Sequence, residues 1–321
     1  MTRRKLLITI LAAIAIVCLL LSRHSMSKAE CSMIHNEGTV FGTLYHAKYL
    51  YDKDLKSELE AELQKVDASL SMFNPQSTIS KINRNETDEV DEMLSEVLNL
   101  SFTIYEATDG AFDPTVAPLV NAWGFGFKNG QLPDSTQVDS LLALVGLAHI
   151  HLEGNKLKKD NPLSILDFSA IAKGYGVDRA AQVLRSHDIR NFMVEIGGEI
   201  VTEGVNEKGE PWRIGINKPD DDSTSTNTEL QDVIELSGKA IATSGNYRNY
   251  YIKDGRKIAH TINPKTGYPA QQDILSSTVI APTCAEADAF ATAFMVLGTE
   301  GANRVLEMQP QLETYFITNN E

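Results

Sequence analysis

Two oxygen-bearing side chains spaced four residues apart are candidate ligands for a hard metal ion. Asp288 and Thr292 lie in an alanine-rich run, 285–293, that follows a capping-box pair of Thr283 and Glu286. Residues four apart share one face of a helix, so the carboxylate and the hydroxyl point the same way. Mg²⁺ accepts such oxygen ligands. A buried hydroxyl bonded to a helix-face carboxylate is the alternative, and these residues alone leave it open.

An apolar run followed by a small-residue turn brings two charged groups to the start of a helix. Ile165–Phe168 predicts a buried strand that carries Asp167, and Lys173 follows at a break that Gly174 and Gly176 make before the next helix. Free N–H groups at a helix start favour phosphate, and a lysine adds positive charge. A solvated lysine in a plain strand–loop–helix connection explains the pattern equally well.

Two further segments combine aromatic, proline and histidine residues. Residues 109–126 join prolines and glycines to aromatic side chains, which suits a rigid wall for a flat ring, although the residues alone favour a loop that packs its aromatics inward. His260 lies on the return strand of a predicted hairpin and is a candidate general base. A lone histidine on a strand is more often structural, so this role needs independent support.

Helical and strand patterns alternate loosely between these segments. Apolar residues at helical spacing predict helices over 55–70 and 93–104, and a shorter one over 141–147. Thr283 opens a helix that runs to about Leu297. Further apolar runs predict strands, which are Phe192–Ile196, Asp232–Leu236, Ala240–Thr243 and Leu275–Ile280. No clear parallel βαβ rhythm is present, so the fold class is α+β or mixed α/β.

Length and charge exclude several classes of function. The chain has 321 residues of ordinary globular composition, and beyond residue 29 it carries 24 basic against 43 acidic residues. An acidic body is a poor match for phosphate backbones, so we expect no general nucleic-acid binding. A phosphate ligand would need a cation to accompany it.

The N-terminus has the layout of an export signal. Arg3-Arg4-Lys5 precede an apolar run from Leu6 to Leu21, and polar residues follow. We expect residues 1–29 to be a signal peptide or, because the run is at the short limit for a spanning helix, an N-terminal membrane anchor. Residues 30–321 then form the exported domain. Cys31 and Cys284 lie far apart and are expected to be free thiols.

Taken in order and at these separations, the four segments resemble the ApbE family of FAD:protein FMN transferases. The resemblance extends from Phe41-Gly42-Thr43 and Ser71-Met72-Phe73-Asn74 to Ala293, and so covers most of the chain. It implies an α+β fold with mixed β-sheets flanked by helices, and an FAD site in a cleft between two subdomains. It also implies FAD as the substrate and Mg²⁺ as the cofactor.

Matching the family's motifs residue by residue implies roles for individual side chains. The positions that match FAD contacts are Phe41, where the family usually has Met, and Phe73, Ala111, Phe112, Asp113, Asp167, Lys173 and Ile262. The positions that match Mg²⁺ ligands are the backbone carbonyl of Ala170 and the side chains of Asp288 and Thr292. His260 is the candidate for taking a proton from the acceptor hydroxyl, with Asp288 as its rival.

The implied reaction moves the FMN part of FAD to a threonine or serine hydroxyl of an acceptor redox protein with a D-G-x-[ST] motif, and releases AMP. Such acceptors place the enzyme on the periplasmic side of the inner membrane, anchored or soluble. Two alternatives would use nearly the same site: an exported FAD carrier, and a Mg²⁺-dependent pyrophosphatase that hydrolyses FAD to FMN and AMP. Two metal-binding side chains argue against a pure carrier, because storage needs no phosphate activation.

Overall fold

The computed structural model describes residues 31–126, 132–218, 230–246, 250–253 and 256–319. The strands are β1 (Ser32–Val40), β2 (Thr43–Tyr51), β3 (Ile150–Glu153), β4 (Lys156–Lys159), β5 (Phe192–Ile196), β6 (Glu199–Glu203), β7 (Trp212–Asn217), β8 (Leu230–Leu236), β9 (Ala240–Gly245), β10 (Tyr250–Lys253), β11 (Arg256–Ala259), β12 (Ile274–Ala281) and β13 (Glu313–Thr318). The helices are α1 (Lys56–Leu70), α2 (Thr78–Asn83), α3 (Glu92–Ala107), α4 (Ala117–Ala122), α5 (Ser135–Leu142), α6 (Ala172–Ser186) and α7 (Cys284–Met308).

Antiparallel pairing organises the sheets. The main sheet has the strand order β1-β2-β5-β6-β9-β12-β13, and β3–β4, β7–β8 and β10–β11 form separate two-stranded sheets. Every pair among these strands is antiparallel, and tight turns connect several of them. The α+β class is confirmed, whereas the sheets are antiparallel and not mixed.

Two long helices, α6 and α7, pack side by side against the centre of the main sheet. Helix α6 contacts β5 and β6, and α7 contacts β9 and β12. One buried cluster includes Phe168, Phe290 and Phe294, and a second includes Tyr49 and Phe192. The two helices therefore rest on large apolar cores, and the contact between them brings their first turns together.

Glycines 174 and 176 lie inside helix α6 and do not form a break before it, so this prediction is wrong. A Cβ atom at Gly174 would lie 2.3 Å from the carbonyl oxygen of Cys284, and one at Gly176 would lie 2.5 Å from the ring of Phe41. Close packing, not a turn, therefore requires glycine at both positions. As a consequence, Lys173 lies in the first turn of the helix.

Two other predicted elements differ from the structure. Leu166 and Phe168 are buried, but the segment Ile165–Phe168 belongs to no strand. The side chain of Asn83 instead bonds both backbone groups of Leu166, at 2.9 Å to the N–H and 2.8 Å to the carbonyl. The short helix predicted over 141–147 instead spans Ser135–Leu142, where Asp134 and Gln137 form a capping box. The strands β5, β8, β9 and β12 confirm the predicted apolar runs.

The helix that begins after Thr283 confirms the predicted capping box and the predicted end near Leu297. Gly298, with φ 68° and ψ 177°, breaks the helix there, and a second helical segment continues to Met308. Among the described residues, no helix is long and apolar enough to span a membrane. The predicted signal peptide or anchor, residues 1–29, lies outside the described residues.

Candidate functional site

The four segments that the sequence singled out meet around one cavity of about 770 Å³. This volume lies in the range of small-molecule sites. The predicted residues in its lining are Ala111, Phe112, Asp113, Asp167, Ala170, Lys173, His260, Ile262, Asp288 and Thr292. Positions far apart in the sequence are therefore brought to a single site.

One part of the lining, which we name the polar wall, consists of Lys173, Glu199, Asp288 and Thr292. Lys173 projects from the first turn of α6, and Asp288 and Thr292 follow the capped start of α7. Glu199 begins β6 directly after a glycine pair whose φ angles are 61° and 104°. Such left-handed angles allow the tight turn that brings this carboxylate beside Lys173.

The polar wall is a cluster of coupled charges. The Lys173 ammonium donates a hydrogen bond to Glu199 Oε1, and Oδ2 of Asp288 accepts the Gly174 N–H at 3.1 Å. Burial alone would lower the pKa of Lys173, but the charges of Asp288 and Glu199 outweigh burial and hold this pKa above its usual range. Burial raises the pKa of both carboxyl groups. When both carboxyl groups are ionised, the cluster carries a net negative charge, which a further cation would neutralise.

The predicted metal ligands fit Mg²⁺ by the chemistry of their donor atoms. Asp288 is only 3% exposed, and the hydroxyl of Thr292 lies 3.0 Å from that of Ser244. Ala170 lies in the turn that leads into α6. The part of the chain that the structure describes holds no cluster of three or more His, Cys, Asp or Glu side chains suited to a metal. A site with one carboxylate, one hydroxyl and one carbonyl suits an ion that keeps waters and phosphate oxygens as its other ligands.

A second part of the lining, the apolar wall, consists of Phe112, Val116, Val120, Ile262 and Pro264. Phe112 is 3% exposed and packs in the large core, as the inward-packing interpretation of this loop predicts. Ile262 packs in a small cluster that also contains Trp123, whose indole N–H donates to the Gly267 carbonyl at 2.7 Å. This wall offers apolar surface beside the charged cluster.

Asp113 and Asp167 hold the loops that line the cavity. The Asp113 carboxylate accepts the backbone N–H of Thr115 at 2.8 Å and that of Leu147 at 3.2 Å, and burial raises its pKa. The Asp167 carboxylate accepts the N–H of Ser169 at 2.8 Å. Both side chains therefore have a structural role, and their contact with FAD stays a prediction.

The structure does not bring Phe41 and Phe73 into the cavity lining. Phe41 lies in the turn between β1 and β2, and its ring packs against Gly176 of α6. Phe73 follows α1 and is 76% exposed. Neither ring lines the cavity in the described part of the chain, so their assignment as flavin contacts stays a prediction.

His260 lies directly after β11 and lines the cavity together with Asp288. The ring of Phe125 meets the imidazole edge-on, with 6.3 Å between the ring centroids. This aromatic contact packs the His260 ring within the cavity lining. Its place in the lining is compatible with the predicted proton transfer.

Sequence reasoning missed Glu199, Ser244 and Arg213, which also line the cavity. Gly-Gly after the predicted strand Phe192–Ile196 is a hairpin signal. The acidic residue that starts the return strand, Glu199, could therefore have been identified as a candidate. Ser244 and Arg213 carry no such signal, because only the folded sheet brings them to the site.

Together, an antiparallel sheet covered by two helices and a cavity with one charged and one apolar wall define a class of protein. It is an α+β protein whose cavity joins a charged wall to an apolar wall, a lining that suits a ligand with both polar and apolar parts. The model of the ApbE family matches residues 41–316, and the chain belongs to this family.

Relatives cover nearly the whole chain. The FAD:protein FMN transferase of Vibrio cholerae is 39% identical over 305 residues, which are 92% of this chain and 90% of that protein. The FAD:protein FMN transferase of Haemophilus influenzae is 37% identical over 97% of this chain and 94% of its own length. These similarities confirm the expectation of a transferase enzyme.

Solved structures confirm the expected fold. The flavin transferase ApbE from Vibrio cholerae superimposes with a TM-score of 0.81 at 37% identity, over 90% of this chain and 94% of that chain. The apo form of the flavinyl transferase ApbE from Pseudomonas stutzeri gives a TM-score of 0.81 at 31% identity, over 92% and 93% of the two chains.

Proposed function

We propose that this protein transfers the FMN part of FAD to a threonine or serine hydroxyl of an acceptor redox protein and releases AMP. The names of its relatives supply FAD, FMN and a protein acceptor. The observation that carries the proposal is the polar wall, where Lys173 and the Asp288–Thr292 pair line one cavity. An ammonium beside hard oxygen ligands suits a pyrophosphate and its accompanying cation.

The polar wall orients the pyrophosphate of FAD. The carbonyl of Ala170 and the side chains of Asp288 and Thr292 would hold Mg²⁺, which when bound offsets the charge that develops on the departing AMP. Lys173 stays protonated, because Asp288 and Glu199 hold its pKa high. Its ammonium therefore supplies fixed positive charge to the phosphate oxygens.

The transfer forms one bond and breaks one. The acceptor hydroxyl oxygen attacks the phosphorus of the FMN half, the bond to the bridging oxygen breaks, and AMP leaves with that oxygen. His260 takes the hydroxyl proton, because it lines the cavity and imidazole is the commonest general base in proteins near neutral pH. Asp288 is less suited, since it already accepts the Gly174 N–H and is assigned to the metal.

The test is the intact mass of an acceptor domain that carries D-G-A-T, after incubation with this protein, FAD and Mg²⁺. We expect a gain of one FMN residue, abolished by EDTA, by Asp288→Ala and by replacing the acceptor threonine with alanine. An unchanged mass with FAD converted to free FMN and AMP would instead establish the pyrophosphatase. An unchanged mass with FAD bound intact would favour the carrier.

We propose further that the domain acts on the exported, periplasmic side of the inner membrane. The basic flank Arg3-Arg4-Lys5, the apolar run to Leu21 and the absence of acidic residues before Glu30 support this proposal. A fusion of alkaline phosphatase after residue 40 should be active in the native host. An inactive fusion, with the protein recovered from the cytoplasm, would contradict export.

A further inference from the structure

The carboxylate of Asp178 ties helix α6 to the first turn of helix α7. Asp178 lies on α6, and its two oxygens accept the backbone N–H groups of Cys284 and Ala285, each at 2.8 Å. These are among the N–H groups at a helix start that have no partner within the helix. Asp178 therefore caps α7 from a neighbouring helix, in addition to the local cap that Thr283 provides.

Two further contacts join the same helix starts. The N–H of Gly174 donates to Asp288, and the missing side chain of Gly174 lets the Cys284 carbonyl approach α6 closely. Asp178 follows Gly174 by one turn of α6, so both residues lie on the face of α6 that meets the start of α7. We name this set, formed by Gly174, Asp178, Cys284, Ala285 and Asp288, the helix clamp.

The helix clamp spans the two halves of the polar wall. Lys173 stands on the α6 side of the clamp, next to Gly174, and Asp288 and Thr292 stand on the α7 side. Ala170, the carbonyl ligand, precedes α6. A shift of α7 along α6 would therefore change the distances from Asp288 and Thr292 to both Ala170 and Lys173.

We propose that Asp178 is a positioning residue for the transfer reaction, which fixes the start of α7 so that the two halves of the polar wall stay in register. This inference rests on the proposed function. Asp178 does not line the cavity, so it acts through Asp288 and Thr292 and not on FAD directly. Residues that orient metal ligands in this way affect metal affinity or activity by about 10- to 100-fold.

Burial in the helix clamp disfavours the ionised form of the Asp178 carboxylate. Burial raises the pKa of Asp178 to about 6, and the two N–H donors oppose this rise. The side chain is thus mostly ionised near neutral pH, when it offers acceptors to both N–H groups. An asparagine in its place offers one acceptor oxygen and turns an NH₂ donor toward the second N–H.

The experiment compares Asp178→Asn with a matched cap elsewhere, Asp91→Asn. The Asp91 carboxylate also caps a helix, accepting the Leu94 N–H at 2.9 Å and the Ser69 hydroxyl at 2.6 Å. It stands at the start of α3, about 24 Å along that 16-residue helix from the end nearest the cavity segment 111–113. Asp178→Ser, which removes the carboxylate without turning an NH₂ donor toward the second N–H, is the milder second variant.

Three quantities are measured for each full-length protein: the melting temperature, the dissociation constant of FAD from flavin fluorescence, and the Mg²⁺ concentration that gives half-maximal FAD binding. We expect both Asn variants to melt a few degrees lower. Only Asp178→Asn should raise the FAD dissociation constant and the Mg²⁺ requirement, by about tenfold or more, with kcat/KM for transfer reduced in parallel. Asp178→Ser should fall between wild type and Asp178→Asn.

Two results would overturn the inference. One is a folded Asp178→Asn or Asp178→Ser protein whose FAD affinity, Mg²⁺ requirement and kcat/KM stay within twofold of wild type. The other is a loss of FAD affinity and kcat/KM in Asp91→Asn as large as in Asp178→Asn, which would show that the effect comes from a general loss of stability. If the wild-type protein binds FAD but transfers no FMN, the proposed function fails, while the binding comparison still decides the role of Asp178.

Discussion

The polar wall and the apolar wall of the cavity are anchored in different ways. The polar wall stands on α6, α7 and the start of β6. The two helices rest on the main sheet and two large cores, and the helix clamp joins them through backbone groups. The apolar wall depends in part on a small satellite cluster around Leu119, Trp123, Val138 and Ile262. Tyr251 of the β10–β11 hairpin adds one hydrogen bond, at 2.9 Å to the Trp123 carbonyl.

The difference matches the chemistry assigned to each wall. Electrostatic stabilisation of a phosphate depends steeply on distance, so a charged group that is displaced loses much of its effect. The charged groups of the polar wall stand on the most firmly anchored part of the cavity. Burial of an apolar ring is nearly non-directional and tolerates small shifts. We therefore expect changes in the polar wall to affect kcat, and changes in the apolar wall to affect mainly the binding of FAD.

Among the variants that compare the two walls, the largest expected effect comes from Glu199→Gln. Glu199 Oε1 accepts from Lys173, while Oε2 is buried with no hydrogen-bond partner among the described residues. Glutamine keeps the shape but removes the charge, so the Lys173 ammonium turns to Asp288 and competes with the metal. We expect kcat/KM for FMN transfer to fall roughly 10²-fold. The free energy of unfolding should also fall, by up to about 3–5 kcal/mol, because the largely buried Lys173 ammonium keeps only Asp288 as its counter-charge.

The matched control is Glu62→Gln, at a buried glutamate remote from the cavity. Glu62 is 7% exposed and pairs with Arg179 and Lys65. Its loss should lower stability in urea unfolding and leave kcat/KM within twofold. If Glu199→Gln keeps wild-type kcat/KM, or if Glu62→Gln loses as much, the polar wall has no special dependence on its charge cluster.

Much of the fold could be predicted because its signals are local. The strand Phe192–Ile196 and the capping box of Thr283 follow from short patterns of side chains. Gly174 and Gly176 were misinterpreted because their requirement is tertiary: α7 and Phe41 approach α6 too closely for a Cβ atom. The segment 165–168 was predicted as a strand because its apolar pattern does not show where its backbone hydrogen bonds go. In the structure, the side chain of Asn83 takes the place of a neighbouring strand.

The candidate site was predictable in its residues more than in its connections. Lys173, Asp288 and Thr292 were found through helix spacing and family motifs, and they line one cavity. Asp178 was not, because a cap across 106 residues leaves no trace in local sequence. The Gly-Gly hairpin signal indicates that Glu199 starts a strand, but not its ion pair with Lys173 across 26 residues. The supporting contacts of a site therefore depend on the fold, while its reacting groups are recognisable beforehand.

The smallest expected effect comes from Trp123→Phe, in the cluster that supports the apolar wall. Phenylalanine removes the indole N–H and leaves the Gly267 carbonyl without its 2.7 Å donor, which should cost about 1–3 kcal/mol of stability. Because the polar wall is untouched, the KM for FAD should rise a few-fold while kcat stays within twofold. Urea unfolding and steady-state transfer kinetics measure both quantities.

The other tryptophan of the chain provides the control for this prediction. Trp212 is also buried, and its indole N–H donates to the Glu203 carbonyl at 3.1 Å, so Trp212→Phe should cost similar stability without changing the KM for FAD. A fall in kcat with Trp123→Phe as large as with Glu199→Gln would show that the walls act as one unit. A higher KM for FAD with an unchanged kcat in Trp123→Phe is expected only if the apolar wall binds the ring and the polar wall alone acts on phosphate.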